Sequence, residues 1–228
     1  MIPQTGAAGR LRLQDGLVTF VLALVAYLGV PVVAAGLFGY DTLAFYAAAF
    51  VLAPLAALTS LAWPLILRRC AAGELGIATP VHGWMLRAFF TVLVIVPASA
   101  AMALIIERLF GISFEEINNA LYALDRLDTA GLVVAGIGIV LLAPVAEELL
   151  LRGVVFGALR NRFGPSLAIV LSAALFSVLH VAWAVMPIIF MLGLVFGWLR
   201  QRSGSVWPSV LLHGLNNLWS FGLFLLTQ

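Results

Sequence analysis

The chain has 228 residues, of which 64% are hydrophobic and only 10% charged. Soluble domains carry about 25% charged residues, so this composition excludes an ordinary soluble fold and points to a multi-span membrane protein. The net charge of +2, from 12 arginines and no lysine against 10 acidic residues, is too small to imply a nucleic-acid partner.

In chain order, Arg10 and Arg12 precede a long apolar run. At about 20 residues that run exceeds the apolar region of a signal peptide, so a retained span is expected. Seven spans are expected: residues 17–38, 43–67, 84–106, 131–151 (with the helix continuing to 159), 166–184, 186–199 and 206–226. Each approaches the ~20 residues that cross a ~30 Å hydrocarbon core, except the sixth, whose shortness fits a tilted or re-entrant helix. No period-two alternation of the length a membrane barrel needs is present, so the spans are helices. The expected fold class is all-α: a polytopic transmembrane helical bundle of about seven spans. Residues 1–129 hold the N-terminal spans, and residues 130–228 form a core of four helices that carries the chemistry.

The arginines orient the bundle. With the N-terminus in the cytoplasm, Arg10, Arg12, Arg68, Arg69, Arg87, Arg160, Arg162, Arg200 and Arg202 all fall on the inner side, and Arg108 and Arg126 fall outside. The outer loop, residues 107–129, is acidic. Its Ile112, Phe114, Ile117, Leu121 and Leu124 recur at roughly helical spacing, which predicts an amphipathic helix on the outer interface. The inner loop, residues 68–83, is broken by Gly73 and Pro80 and is expected at the inner surface. Cys70, the single cysteine, excludes an internal disulfide and a thiolate metal cluster.

Three motifs stand out against this apolar background. In APVAEELLLRG, Glu147 and Glu148 are adjacent and therefore point about 100° apart on a helix. Glu148 and Arg152 are i,i+4 and share a face, so Arg152 neutralises Glu148 and leaves Glu147 free to accept a proton. In FSVLH, His180 lies deep in the fifth span, with Phe176 one turn before it as a shield from lipid. In HGLNN, His213 and Asn217 are i,i+4 and face one point, Asn216 at i+3 can share it, and Gly214 admits a second backbone. Read alone, His180 is a helix–helix hydrogen-bond partner and HGLNN a polar clamp. His82, beside Pro80 in a loop, is a surface histidine. Glu147, Glu148, His180, His213, Asn216 and Asn217 are nearly all the strongly polar groups within the spans. Scattered, each would need its own partner in lipid. Gathered in one wet pocket they satisfy each other.

EELLLRG, FSVLH and HGLNN, in this order on apolar helices, resemble the motifs of the CPBP family of intramembrane proteases (bacterial type), also called the Abi or CAAX-protease-like family. The resemblance covers about residues 142–217. It implies a polytopic helical fold with a chamber opening toward the cytoplasm of an inner (plasma) membrane. It implies that Glu147 and His180 activate a water and that His213 and Asn217 hold the oxyanion, with Glu148, Arg152, Phe176 and Asn216 in support. The family's eukaryotic members trim prenylated proteins; for a bacterial member the expected substrate is a membrane-associated protein or peptide, with membrane lipids as surroundings. The cofactor question stays open, because the family is described both as metalloproteases and as metal-free glutamate proteases. The competing version places zinc on His180, His213 and Glu147, a His₂Glu set, although the HExxH helix of the common zinc proteases is missing. A non-catalytic membrane scaffold or immunity factor of the same fold is the alternative function. A transporter is a third reading, but the repeated halves common in transporters do not appear in the sequence.

Overall fold

The computed structural model describes residues 10–112, 124, 127–180 and 184–226. The described residues form seven helices: α1 (Leu13–Phe38), α2 (Leu43–Leu67), α3 (Trp84–Phe110), α4 (Thr129–Phe163), α5 (Pro165–Leu179), α6 (Met186–Ser203) and α7 (Trp207–Leu226). Five of them, α1 to α4 and α7, are long and apolar enough to cross a membrane. The protein is an all-helical integral membrane bundle, and its surface says the same. Leu17, Val25 and Val32 of α1 are 63–70% exposed, whereas Glu148, Arg152 and Arg200 are at most 1% exposed. Apolar side chains cover the outside, and the costly charges are packed inside among partners.

The two remaining helices depart from the expected spans. The fifth span was expected to run to residue 184, but α5 stops at Leu179 after 15 residues. Its rise of about 22 Å falls short of the ~30 Å core. The 18 residues of α6 end on Arg200 and Arg202. The sixth span, expected to end at residue 199, instead runs on to Ser203 and pairs with α5 as the second arm of a hairpin. The arms meet closely at Gly193, where an added Cβ would come within 2.9 Å of the Ala173 backbone. The amphipathic helix expected around residues 112–124 falls largely outside the described residues.

The loop of residues 68–83 is folded against the bundle rather than lying free. Leu75 is fully buried. The Arg200 guanidinium donates to the Arg152 carbonyl at 3.1 Å and to the Glu74 carbonyl at 3.3 Å. The Val206 N–H bonds the Gly76 carbonyl at 3.1 Å, and the Ser205 hydroxyl bonds the Ala78 carbonyl at 2.6 Å. Gly76 has φ +70, and a Cβ there would run into the Arg200 guanidinium. Only glycine meets both demands.

α1 runs antiparallel to α4, and its lower end is pinned. Asp15, fully buried, accepts from the Arg12 N–H at 2.9 Å, Arg68 at 2.9 Å and the Trp63 indole at 3.3 Å. An added Cβ on Gly16 would lie 3.0 Å from the Ala158 methyl, and one on Gly157 would lie 2.9 Å from Leu11. These contacts fix the register of α1 on α4. They also gather Arg12, Arg68, Arg160 and Arg200 at one end of the bundle.

Candidate active site

α4 carries the two carboxylates on a short α-helical stretch, Ala143–Glu148, between two π-helical turns, Gly138–Leu142 and Leu149–Val155. Such turns widen a helix by one residue and recur at functional sites. Glu148 and Arg152 face inward together. The Arg152 Nη1 donates to Glu148 Oε1 at 3.0 Å, and both side chains are fully buried. The pairing expected from i,i+4 spacing is present. His213 joins it from α7, with Nδ1 3.1 Å from the same Glu148 oxygen. Because a carboxylate only accepts, Nδ1 carries the hydrogen. Arg152 also donates from Nη2 to the Gly193 carbonyl at 3.3 Å, tying the pair to the α5–α6 hairpin.

Aromatic rings enclose this ionic core. The Arg152 guanidinium lies 4.5 Å from the Phe176 ring centroid and 5.2 Å from that of Phe196, a cation–π arrangement that partly replaces lost hydration. His213 stacks on Phe196 at 4.9 Å. Phe176 meets His213 edge-on at 5.5 Å and His180 at 4.8 Å. The sum of these two distances bounds the separation of the imidazoles at about 10 Å. Phe176 is thus the common wall of both histidines. His180 caps α5, and its Nδ1 lies 2.9 Å from the Phe176 carbonyl. That carbonyl takes the Nδ1 hydrogen, which leaves Nε2 with a free lone pair.

Glu147 is oriented differently. Its side chain is 22% exposed, and its Oε2 lies 3.9 Å from His213 Nε2. Its Oε1 accepts from the Tyr27 hydroxyl of α1 at 3.3 Å. It opens on two cavities. One, of about 290 Å³, has His213, Asn216, Asn217, Ser99 and Ser220 in its wall among apolar residues. The other, of about 220 Å³, is apolar, with Phe20, Leu24, Leu28, Leu150 and Leu179 in its wall. Tyr27, Glu147, Phe176 and His180 line both. Glu147, His180, His213, Asn216 and Asn217, drawn from three helices, therefore border one chamber.

Asn217 donates from Nδ2 to the Ile139 carbonyl of α4 at 2.9 Å. The sequence explains why that carbonyl needs a donor. In the π turn the Ala143 N–H reaches back to Gly138, and the next residue is Pro144, which has no N–H. Asn217 supplies the missing hydrogen bond, as the general demand for satisfied backbone groups requires. Gly214 makes the approach feasible: an added Cβ there would lie 3.0 Å from the Val140 carbonyl. Asn216 is buried beside His213.

Helical rise sets the depth of the chamber. Glu147 is five residues, about 7.5 Å, above Arg152, whose carbonyl is clamped by Arg200. His213 is six residues, about 9 Å, beyond the start of α7 at the same loop.

Tyr27 and Phe196 were not visible as site residues in the sequence. A phenol in mid-span was the one available signal for Tyr27; Phe196 sits in an apolar run that gives none. Among the described residues no group of three His, Cys, Asp or Glu side chains is arranged to hold a metal ion. The Nδ1 hydrogens of both histidines are held by the Phe176 carbonyl and Glu148, which leaves each Nε2 as the nitrogen that could face a ligand. The chemistry below is derived from the chain's own groups.

A buried carboxylate–histidine centre thus lies inside a helical membrane bundle, with one carboxylate left facing a cavity. The family model of type II CAAX prenyl endopeptidase Rce1-like proteins matches residues 129–219, from the start of α4 into α7. This segment resembles the CAAX-protease-like (CPBP) family indicated by its three motifs, a likeness that supports a CAAX-type intramembrane protease kind of function. Neither the curated proteins nor the solved structures contain a match to the chain.

Proposed function

We propose that the protein is an intramembrane endopeptidase in which Glu147 activates a water for attack on a peptide bond. One observation carries this reading: of two adjacent glutamates, Glu148 is consumed by Arg152 and His213, while Glu147 faces the chamber between His180 and His213. In the proposed reaction a water sits between Glu147 and the free Nε2 of His180. Glu147 takes one of its protons as the oxygen attacks the scissile carbonyl carbon. His213 meets the developing oxyanion through Nε2, while Nδ1 stays on Glu148. Asn217, its amide plane fixed by Ile139, offers its second N–H to the same oxygen. When the carbon–nitrogen bond breaks, Glu147 passes its proton to the leaving amine. The apolar cavity beside Glu147 suits a membrane-associated protein or peptide as substrate; the family model's description names CAAX prenyl substrates. Glu147→Gln tests the reading, because the amide keeps the shape but cannot take a proton. Comparison of membrane-protein termini in cells carrying wild type or Glu147→Gln should show specific cleavages lost in the variant. Unchanged termini would favour the alternative, a scaffold or immunity factor.

A further inference from the structure

We propose that Tyr27, on the first helix and outside the family-matched segment, is a positioning residue for the Glu147 carboxylate. The inference deepens the proteolytic reading above and rests on it for its catalytic part only. Three observations converge. The Tyr27 hydroxyl donates to Glu147 Oε1 at 3.3 Å, across 120 residues of sequence. Among the described residues Glu147 has no charged partner as close as the one Glu148 has: His213 Nε2 is 3.9 Å away, against 3.0 Å from Arg152 to Glu148. Among the described residues the phenol is therefore the shortest polar tether on the carboxylate. The Tyr27 ring also borders both cavities, as Glu147, Phe176 and His180 do.

The helix register explains how Tyr27 arrives there. Gly16 packs on Ala158. Tyr27 lies eleven residues beyond Gly16 on α1, and Glu147 lies eleven residues before Ala158 on α4. On antiparallel helices each interval is about 16 Å of rise, so one close contact at the pinned end delivers the phenol to the carboxylate at the other. Between them Ala23 and Leu150 share a buried cluster, in step with the same register. With Oε1 held by Tyr27, the second oxygen, Oε2, is the one turned toward His213 and left to meet the water. The N-terminal helix is thus part of the site and not only an anchor.

Tyr27→Phe isolates the hydroxyl, since the ring and its packing remain. In the full chain, purified in detergent, a hydrophobic carbodiimide would be reacted with wild type and with Tyr27→Phe, and modification of Glu147 followed by peptide mass spectrometry. Loss of one hydrogen bond corresponds to about three- to tenfold, and Glu147 should be modified faster by that factor in the variant, with an unchanged melting temperature. On the substrate whose processing depends on Glu147, kcat should fall by about the same factor while KM stays within about twofold. Tyr27→Leu, which also removes the ring between the cavities, should change KM as well. Equal carbodiimide rates in wild type and Tyr27→Phe would overturn the proposal, as would unchanged kcat in Tyr27→Phe. A Glu147→Gln protein that still cleaves would instead overturn the proteolytic reading, and the carbodiimide rates would still decide whether Tyr27 holds the carboxylate.

Discussion

Arg152→Gln removes more than one interaction. It breaks the 3.0 Å pair with Glu148, the 3.3 Å bond to the Gly193 carbonyl and the stacking on Phe176 and Phe196. Glu148 stays fully buried, so its charge has nowhere to go except toward His213 at 3.1 Å. Breaking a buried pair from one side costs about 3–5 kcal/mol. Because His213 still partners Glu148, the lower end applies, about 3 kcal/mol, and for a chain of this size the melting temperature should fall by about 6–12 °C. The diagnostic step is the second substitution. Glu148→Gln together with Arg152→Gln removes the stranded charge and leaves two amides that can hydrogen-bond each other and His213. Melting curves in detergent should show the double variant recovering most of the loss. A double variant no more stable than Arg152→Gln would mean that packing on the rings, and not the buried charge, is what Arg152 supplies.

Asn217→Ala should be costly in two ways: it orphans the Ile139 carbonyl, destabilising the bundle by about 1–3 kcal/mol, and it should lower kcat by about 10²–10³ if the amide also serves the oxyanion. Melting curves read the first and steady-state kinetics the second; a stable, fully active variant would contradict both roles. Orientation can be read with single added cysteines, because Cys70 is buried and its burial and the nearby Asp15 push the thiol up, so the native residue should stay silent to a maleimide at pH 7. Arg162→Cys should label from the cytoplasmic side and Arg108→Cys from the opposite side; the reverse pattern would overturn the arginine argument. If the chain's own groups carry the reaction, 1,10-phenanthroline should change cleavage by less than about twofold, whereas loss of activity restored by added zinc would require a metal.

What could be read from the sequence, and what could not, divides along physical lines. Contacts within one helix follow from spacing, so the Glu148–Arg152 pair was readable from i,i+4 alone. Convergence of Glu147, His180 and His213 was readable from the cost of isolated polar groups in lipid. The exact partners of each were not, because they depend on register between helices. His213 binds Glu148 as well as facing Glu147. Asn217 meets a carbonyl left without a donor by a π turn and a proline, and periodicity does not reveal π turns. Tyr27 reaches Glu147 only through the Gly16–Ala158 contact at the far end of α1. Helix length was overestimated where α5 stops at Leu179, since an apolar run gives no sign that its helix ends inside it.

The central claim is that Glu147 is the carboxylate that activates water. Its most direct test is a side-by-side reconstitution of wild type and Glu147→Gln in proteoliposomes with the membrane protein whose processing changes between the two in cells. Both proteins should melt at the same temperature, since Glu147 takes no part in the buried Glu148–Arg152 pair. The account predicts cleavage by the wild type and none above background by Glu147→Gln. Cleavage at the wild-type rate by a folded Glu147→Gln protein would contradict it.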